Sequence, residues 1–175
     1  MQMLAPCGFS RVFAMPSPDT LSIPAIKAFA LRHLRGASLD PFARNCLLAT
    51  HTNDLNPDTA AQGHMDAEAW LRMLHHDGQM FDSAIFDPPY SPRQISECYK
   101  QIGRAVGTAD TQNAGLYRRV RDGIDKILKP GAVVVSFGWN SSGMGSGRKY
   151  RQVEIMLVAH GGAHNDTICV AEVKC

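Results

Sequence analysis

Asp87-Pro88-Pro89-Tyr90 is the segment of this chain best equipped to hold a planar amine for attack. The Asp87 carboxylate and the Pro88 carbonyl can both accept hydrogen bonds from an exocyclic NH2 group. Two successive prolines fix φ and remove the backbone N–H donors that would compete for those acceptors. The Tyr90 ring can stack on a heteroaromatic base. Asp-Pro-Pro is also an ordinary turn former, so its place in the chain decides between the readings. It follows Ser83-Ala84-Ile85-Phe86, an apolar run with the length and composition of a buried parallel strand. It precedes Ser91-Pro92-Arg93-Gln94, a loop that opens a helical stretch. A loop at the carboxyl end of a central strand is where open α/β sheets place their ligands.

The elements that position this loop follow from periodicity and punctuation. Residues 1–18, with Pro6, Pro16 and Pro18, are expected to be irregular. Asp19 or Ser22 caps a helix over 23–31, with Pro24 tolerated in its first turn and Gly36 ending it. Short strands are expected over 37–42, 51–55 and 64–66, and Asp66 then caps a helix over 67–74. A strand over 82–86 leads into the amine-holding loop. Helices over 93–105 and 114–128 follow, the second amphipathic through Leu116, Val120, Ile124 and Leu128. Pro130-Gly131 turns into an apolar central strand over 132–137, and strands over 153–158 and 167–172 close the chain as an antiparallel hairpin. Strand–helix alternation of this kind specifies an α/β fold built on a doubly wound, mostly parallel sheet.

Composition bounds the function. A chain of 175 residues with 45% hydrophobic content is expected to form a single domain spanning 1–175, with one sizeable core. The net charge of +2 allows a local nucleic-acid patch but no global field. The five cysteines (Cys7, Cys46, Cys98, Cys169 and Cys175) have no CxxC spacing, which argues for reduced thiols in a cytoplasmic setting and against a zinc site. Neither a signal peptide nor an apolar run of membrane length is expected, so no membrane partner is assigned.

With these landmarks in order, the chain resembles the class I S-adenosylmethionine-dependent amino-methyltransferases, in particular small phage-type adenine-N6 DNA enzymes. The resemblance runs from about Ser17 to Lys174. It implies a Rossmann-like sheet of seven strands whose last strand is antiparallel. It also implies S-adenosylmethionine as cofactor, with catalytic roles for Asp87, Pro88, Pro89 and Tyr90. Ser22 and Ile23 match the segment that lines the methionine end of the cofactor. Asp40, Pro41 and Phe42 match the Asp-Pro-Phe opening of the cofactor loop. Asn53, Asp54 and Asn56 sit where the second strand presents an acidic residue to the ribose, and Asp66 matches the carboxylate that accepts from the adenine amine.

The chain departs from the family at one place. Arg44-Asn45-Cys46 stands where the family has a glycine loop, and ten residues separate Phe42 from Asn53, too few for a crossover helix. The cofactor loop and first crossover are therefore shortened, with Asn45 expected to take a positive φ in a tight turn. Other features carry less. His160, His164 and Asp166 read as a solvated hairpin turn, and no metal is assigned. Gly143 to Lys149 lacks phosphate-loop spacing and reads as a flexible loop bordering the cleft. Arg118, Arg119, Arg121 and Lys126 read as the solvated face of a helix. Trp139 is expected as a wall of the substrate cleft, with Arg93, Arg148 and Lys149 as nucleic-acid contacts.

The expected function is methyl transfer to the N6 amine of a flipped adenine in DNA. RNA base amines (guanine N2 or adenine N6) remain an alternative acceptor, because the motif recognises a planar amine without naming the base. A non-catalytic nucleic-acid-binding protein on the same scaffold is the reading from a different class. No separate target-recognition domain is expected, and a homodimer would widen the DNA footprint.

Overall fold

A computed structural model of the chain describes residues 6–89, 103, 113–145 and 147–175. Its strands are β1 (Gly8–Phe13), β2 (Ser38–Asp40), β3 (His51–Thr52), β4 (Phe81–Phe86), β5 (Leu128–Gly138), β6 (Tyr150–Ala159) and β7 (Thr167–Lys174). Its α-helices are α1 (Pro24–His33), α2 (Ala67–His76) and α3 (Asn113–Ile127). The strands form one seven-stranded sheet in the order β1-β6-β7-β5-β4-β2-β3. Only β7 runs against its neighbours, antiparallel to both β5 and β6. The expected doubly wound sheet with a reversed last strand is present.

Helices cover both faces, which is why β4 and β5 read as near-continuous apolar runs. On one face α2 and α3 bury Trp70, Leu71, Leu74, Val120, Ile124 and Ile127 against Leu39, Ala84, Phe86 and Val134. On the other, α1 buries Ile26, Phe29 and Ala30 against Ile85, Val135, Phe137, Val158 and Ala171. Each large apolar side chain so enclosed contributes about 1.5–3 kcal/mol. The carboxyl ends of β2, β3, β4 and β5 therefore point to one rim of a rigid slab.

Two elements differ from expectation while the total of seven strands stands. Residues 8–13 are a strand, not an irregular segment, and pair in parallel with β6 from Gly8↔Glu154 to Phe13↔Ala159. The flanking prolines Pro6 and Pro16 lie outside this strand and do not interrupt its ladder. No strand forms over 64–66: Gly63 makes a single bridge to Asn53, and Asp66 starts α2 at once. Here the Asn53 side chain takes the Met65 backbone, accepting from its N–H at 3.0 Å and donating to its carbonyl at 2.9 Å. The helix expected over 93–105 lies outside the described residues. Among the described residues no helix is long and apolar enough to cross a membrane.

Candidate active site

β4 delivers the motif to the rim. Phe86, its last residue, is 2% exposed and anchors the loop that follows. Its ring meets Phe42 and Tyr117 edge-on, both at 6.3 Å, and the Arg121 guanidinium lies 5.1 Å from its centroid. Pro88 is buried, while Asp87 and Pro89 are half-buried. Tyr90 and Arg93 lie outside the described residues.

Carboxylates from β2, β3 and β4 converge here. Asp40 ends β2 at 1% exposure, and its Oδ1 accepts from the Phe42 N–H at 3.0 Å. Burial pushes its carboxyl well above the usual carboxylate range, against the Phe42 bond, and the negative charges of Asp87 and Asp54 push it further. Asp54 accepts from two backbone amides, Arg44 N–H at 3.0 Å and Asn56 N–H at 2.9 Å. The loop between β2 and β3 contains no helix, so the shortened crossover is real. Its tight turn is made by Arg44 at φ 50°, not by Asn45. Asn45 instead uses its side-chain oxygen to accept from the Ala60 N–H at 3.0 Å. The Arg44 side chain leaves the site, donating to the Pro18 carbonyl and pairing with Asp19, both at 2.9 Å.

The other residues expected around the cofactor divide between surface and framework. Ser22 is exposed and donates to the Asp19 carbonyl at 2.7 Å. Ile23 is 4% exposed in the core beneath α1, and Pro41 is buried beside Asp40. Asn53 is fully buried, and its amide also donates to the Pro41 carbonyl at 3.3 Å, which ties the Asp40 loop to β3. Asn56 accepts from the Asp58 N–H at 3.0 Å. Asp66 caps α2, accepting from the Ala69 N–H at 3.1 Å. Asp40, Asp54 and Asp87 are brought together; Ser22 and Ile23 are not shown in contact with them.

A cleft of about 100 Å3 opens beside Pro88, walled by Phe86, Tyr117, Arg121, Ser136 and Trp139. Trp139 is 46% exposed and lines the same cleft. Tyr117, Arg121 and Ser136 are polar residues that the sequence reading missed. Arg121 is not a solvated charge of α3 but half-buried, stacked on Phe86. Only Ser136, a hydroxyl inside an otherwise apolar strand, gave any signal in the sequence.

The Gly143–Lys149 segment reaches the cleft at Gly143 but is fastened where a flexible loop was expected. β5 and β6 flank β7, both antiparallel to it and so parallel to each other, and this segment must therefore carry the chain from the carboxyl rim back to the amino ends. It is fastened on the way. Glu172, 4% exposed, accepts from the Met144 N–H at 2.6 Å, and burial raises its carboxyl above the usual range. Arg148 turns inward, donating to Met144 O at 2.6 Å and pairing with Asp122 at 2.5 Å. Lys149 lies beside the end of the chain, accepting from the Cys175 N–H at 2.8 Å, at the pole opposite Asp87. Neither cation is brought to the cleft. His160 also differs: it is 6% exposed, not solvated, and bonds the Ala14 carbonyl at 2.8 Å and the Thr167 hydroxyl at 2.9 Å.

No protein-family model and no curated protein sequence matches the chain. Solved structures do. TrmN from Thermus thermophilus superposes with a TM-score of 0.57 at 15% identity, over 87% of this chain and 49% of that one. SMU.776, solved as a complex with SAH, gives 0.54 at 12% identity, over 82% of this chain and 47% of that one. Precorrin-6y C5,15-methyltransferase from Geobacter metallireducens GS-15 gives 0.50 at 14% identity, over 93% of each chain. The chain spans about half the length of the first two. What these likenesses establish is the fold, which is that of the class I methyltransferases.

Proposed function

We propose that the chain transfers a methyl group from S-adenosylmethionine to the exocyclic N6 amine of adenine in DNA. One juxtaposition carries the proposal. Asp87-Pro88 sits at the carboxyl end of β4, with the carboxylates Asp40 and Asp54 in its electrostatic surroundings and a cleft beside Pro88. The class I methyltransferase fold and the SAH held by SMU.776 support the choice of cofactor.

The residues fit that cofactor chemically. S-adenosylmethionine supplies a methyl group on a cationic sulfonium. Asp40, Asp54 and Asp87 concentrate negative charge at one rim, and the ionised form of Asp40 is penalised by burial and by both neighbours. A nearby cation offsets that penalty. Asp54, held by two backbone amides at the end of β3, would accept from the ribose hydroxyls.

On the acceptor side, Asp87 and the Pro88 carbonyl would accept from the amine, drawing its lone pair out of the ring and aiming it outward. The proton can leave after transfer, so Asp87 need not be a strong base. Positioning and electrostatics carry the step. An adenine must leave the stack to enter the cleft, at a cost of a few kcal/mol that is least for an unpaired base. Binding to the DNA polyanion should weaken with salt.

The test is mass spectrometry of nucleosides after incubating the protein and cofactor with DNA and with RNA. N6-methyladenine in DNA is the expected product. Methylated guanine or adenine confined to RNA would replace the acceptor, and no product on either polymer would remove the enzymatic reading.

A further inference from the structure

Among the described residues four buried side-chain polar atoms have no hydrogen-bond partner, and three of them, Tyr117 Oη, Arg121 Nε and Ser136 Oγ, belong to residues that line the cleft, while the fourth, Arg148 Nε, does not. Buried polar groups are nearly always satisfied, so an orphan set on one cavity calls for something to meet it. The residues come from different elements. Tyr117 and Arg121 are spaced i, i+4 on α3 and so share one face. Ser136 is the one hydroxyl in the β5 run Val133-Val134-Val135-Ser136-Phe137 and is 5% exposed.

We infer that Tyr117, Arg121 and Ser136 form a donor set that reads a ring nitrogen beside the amine of the acceptor base. The inference rests on the proposed amine methylation and assigns these residues its base selectivity. Arg121 Nε can only donate. Burial and the repulsion of Arg148 disfavour the Arg121 guanidinium, so an acceptor placed against it would be held strongly. Burial pushes the Tyr117 phenol up to about 12, so at neutral pH it keeps its proton and can donate. Ser136 Oγ can do the same.

Asp87 and the Pro88 carbonyl supply acceptors, and the cleft supplies donors. The matching ligand carries an amine with acceptors beside it. Adenine does so on both sides of N6, at N1 and N7. Guanine has the acceptor N3 on one side of N2 but an N1–H donor on the other, and cytosine has the acceptor N3 on one side of N4 but carbon on the other. Adenine alone meets the donor set with an acceptor whichever side of the amine faces it, and that is the selectivity assigned here.

The test crosses protein and substrate changes. Oligonucleotides carrying adenine, 1-deazaadenine or 7-deazaadenine are methylated by the wild-type protein and by Arg121→Met, Ser136→Ala and Tyr117→Phe. The last two variants delete only a hydroxyl and keep the packing if Arg121→Met folds poorly. One deaza analogue should lower wild-type kcat/KM by about 10- to 150-fold, the range for a hydrogen bond to a charged group. At least one variant should lose as much on adenine and lose nothing further on that analogue. Losses that multiply in every variant, or deaza substrates as good as adenine, overturn the inference while leaving the proposed activity intact. No methylation of the adenine oligonucleotide overturns the proposed activity and the inference with it.

Discussion

Replacing Asp40 with Asn should strengthen the free protein and weaken its grip on the cofactor. Asp40 is 1% exposed, and the hydrogen bond its Oδ1 accepts from the Phe42 N–H survives in Asn through the same oxygen. Burial first, then Asp87 and Asp54, raise its carboxyl above the ordinary value. The folded pKa thus lies above the unfolded one, near 3.9. As pH rises beyond that value the native state holds more protons than the unfolded chain, so Asp40 lowers stability progressively. A neutral Asn escapes this. A buried ion costs several kcal/mol, offset here in part by the Phe42 bond, so a gain of about 1–2 kcal/mol is expected at pH 7. In a chain of this size that is about 2–8 °C in Tm. The gain should vanish below about pH 4, where both side chains are neutral. S-adenosylmethionine affinity should fall roughly 10- to 150-fold for loss of a charged acceptor. Wild-type affinity should rise with pH as Asp40 ionises. Thermal melts across pH, paired with calorimetric titration of the cofactor, measure both halves. A variant that melts lower at pH 7 and binds the cofactor normally would refute the reasoning.

Three further substitutions test the framework around the site. Arg44→Gly removes a left-handed residue worth about 1–2 kcal/mol of strain and gives up an exposed ion pair with Asp19 worth about 0.2–1 kcal/mol; urea unfolding should show a small net gain, and a loss would mean the Arg44 contacts outweigh its backbone. Gly143→Ala should destabilise by about 2 kcal/mol or more, because Gly143 has φ 49° and an added Cβ would collide with the Glu172 carboxylate; chemical denaturation with an unchanged midpoint would contradict this. Arg148→Ala should lower Tm by removing the Asp122 pair and the Met144 carbonyl bond, whereas Lys149→Ala should leave Tm, methyl transfer and salt dependence unchanged. A Lys149→Ala variant with a shallower salt slope would restore that lysine to the nucleic-acid surface.

Sequence reading reached the sheet because its strongest signals are one-dimensional. The apolar runs of β4 and β5 must be buried on both faces, and the glycine-containing turn between β6 and β7 leaves them only an antiparallel pairing. Asp87-Pro88 was placed correctly at a strand end for the same reason. What was illegible depends on partners distant in the chain. β1 exists because β6 offers it an edge, and nothing in Gly8–Phe13 announces that edge. Asn53 looks like a ligand residue until its amide is seen stitching Pro41 and Met65 together. Arg121 reads as a surface charge until Phe86 lies under it. Arg148 and Lys149 read as nucleic-acid contacts because the direction in which their loop crosses the sheet follows from the strand order, not from composition.

The most direct test of the central claim is labelled methyl transfer to DNA and RNA by the wild-type protein and by Asp87→Ala, with cofactor affinity and melting measured on the same samples. Asp87 directly follows β4 and opens the acceptor loop, whereas Asp40 and Asp54 belong to β2 and to the loop after β3. The account predicts label on DNA adenine with wild type and none with Asp87→Ala, while the variant folds and keeps most of its cofactor affinity. An Asp87→Ala variant that retains most of the wild-type turnover would contradict it.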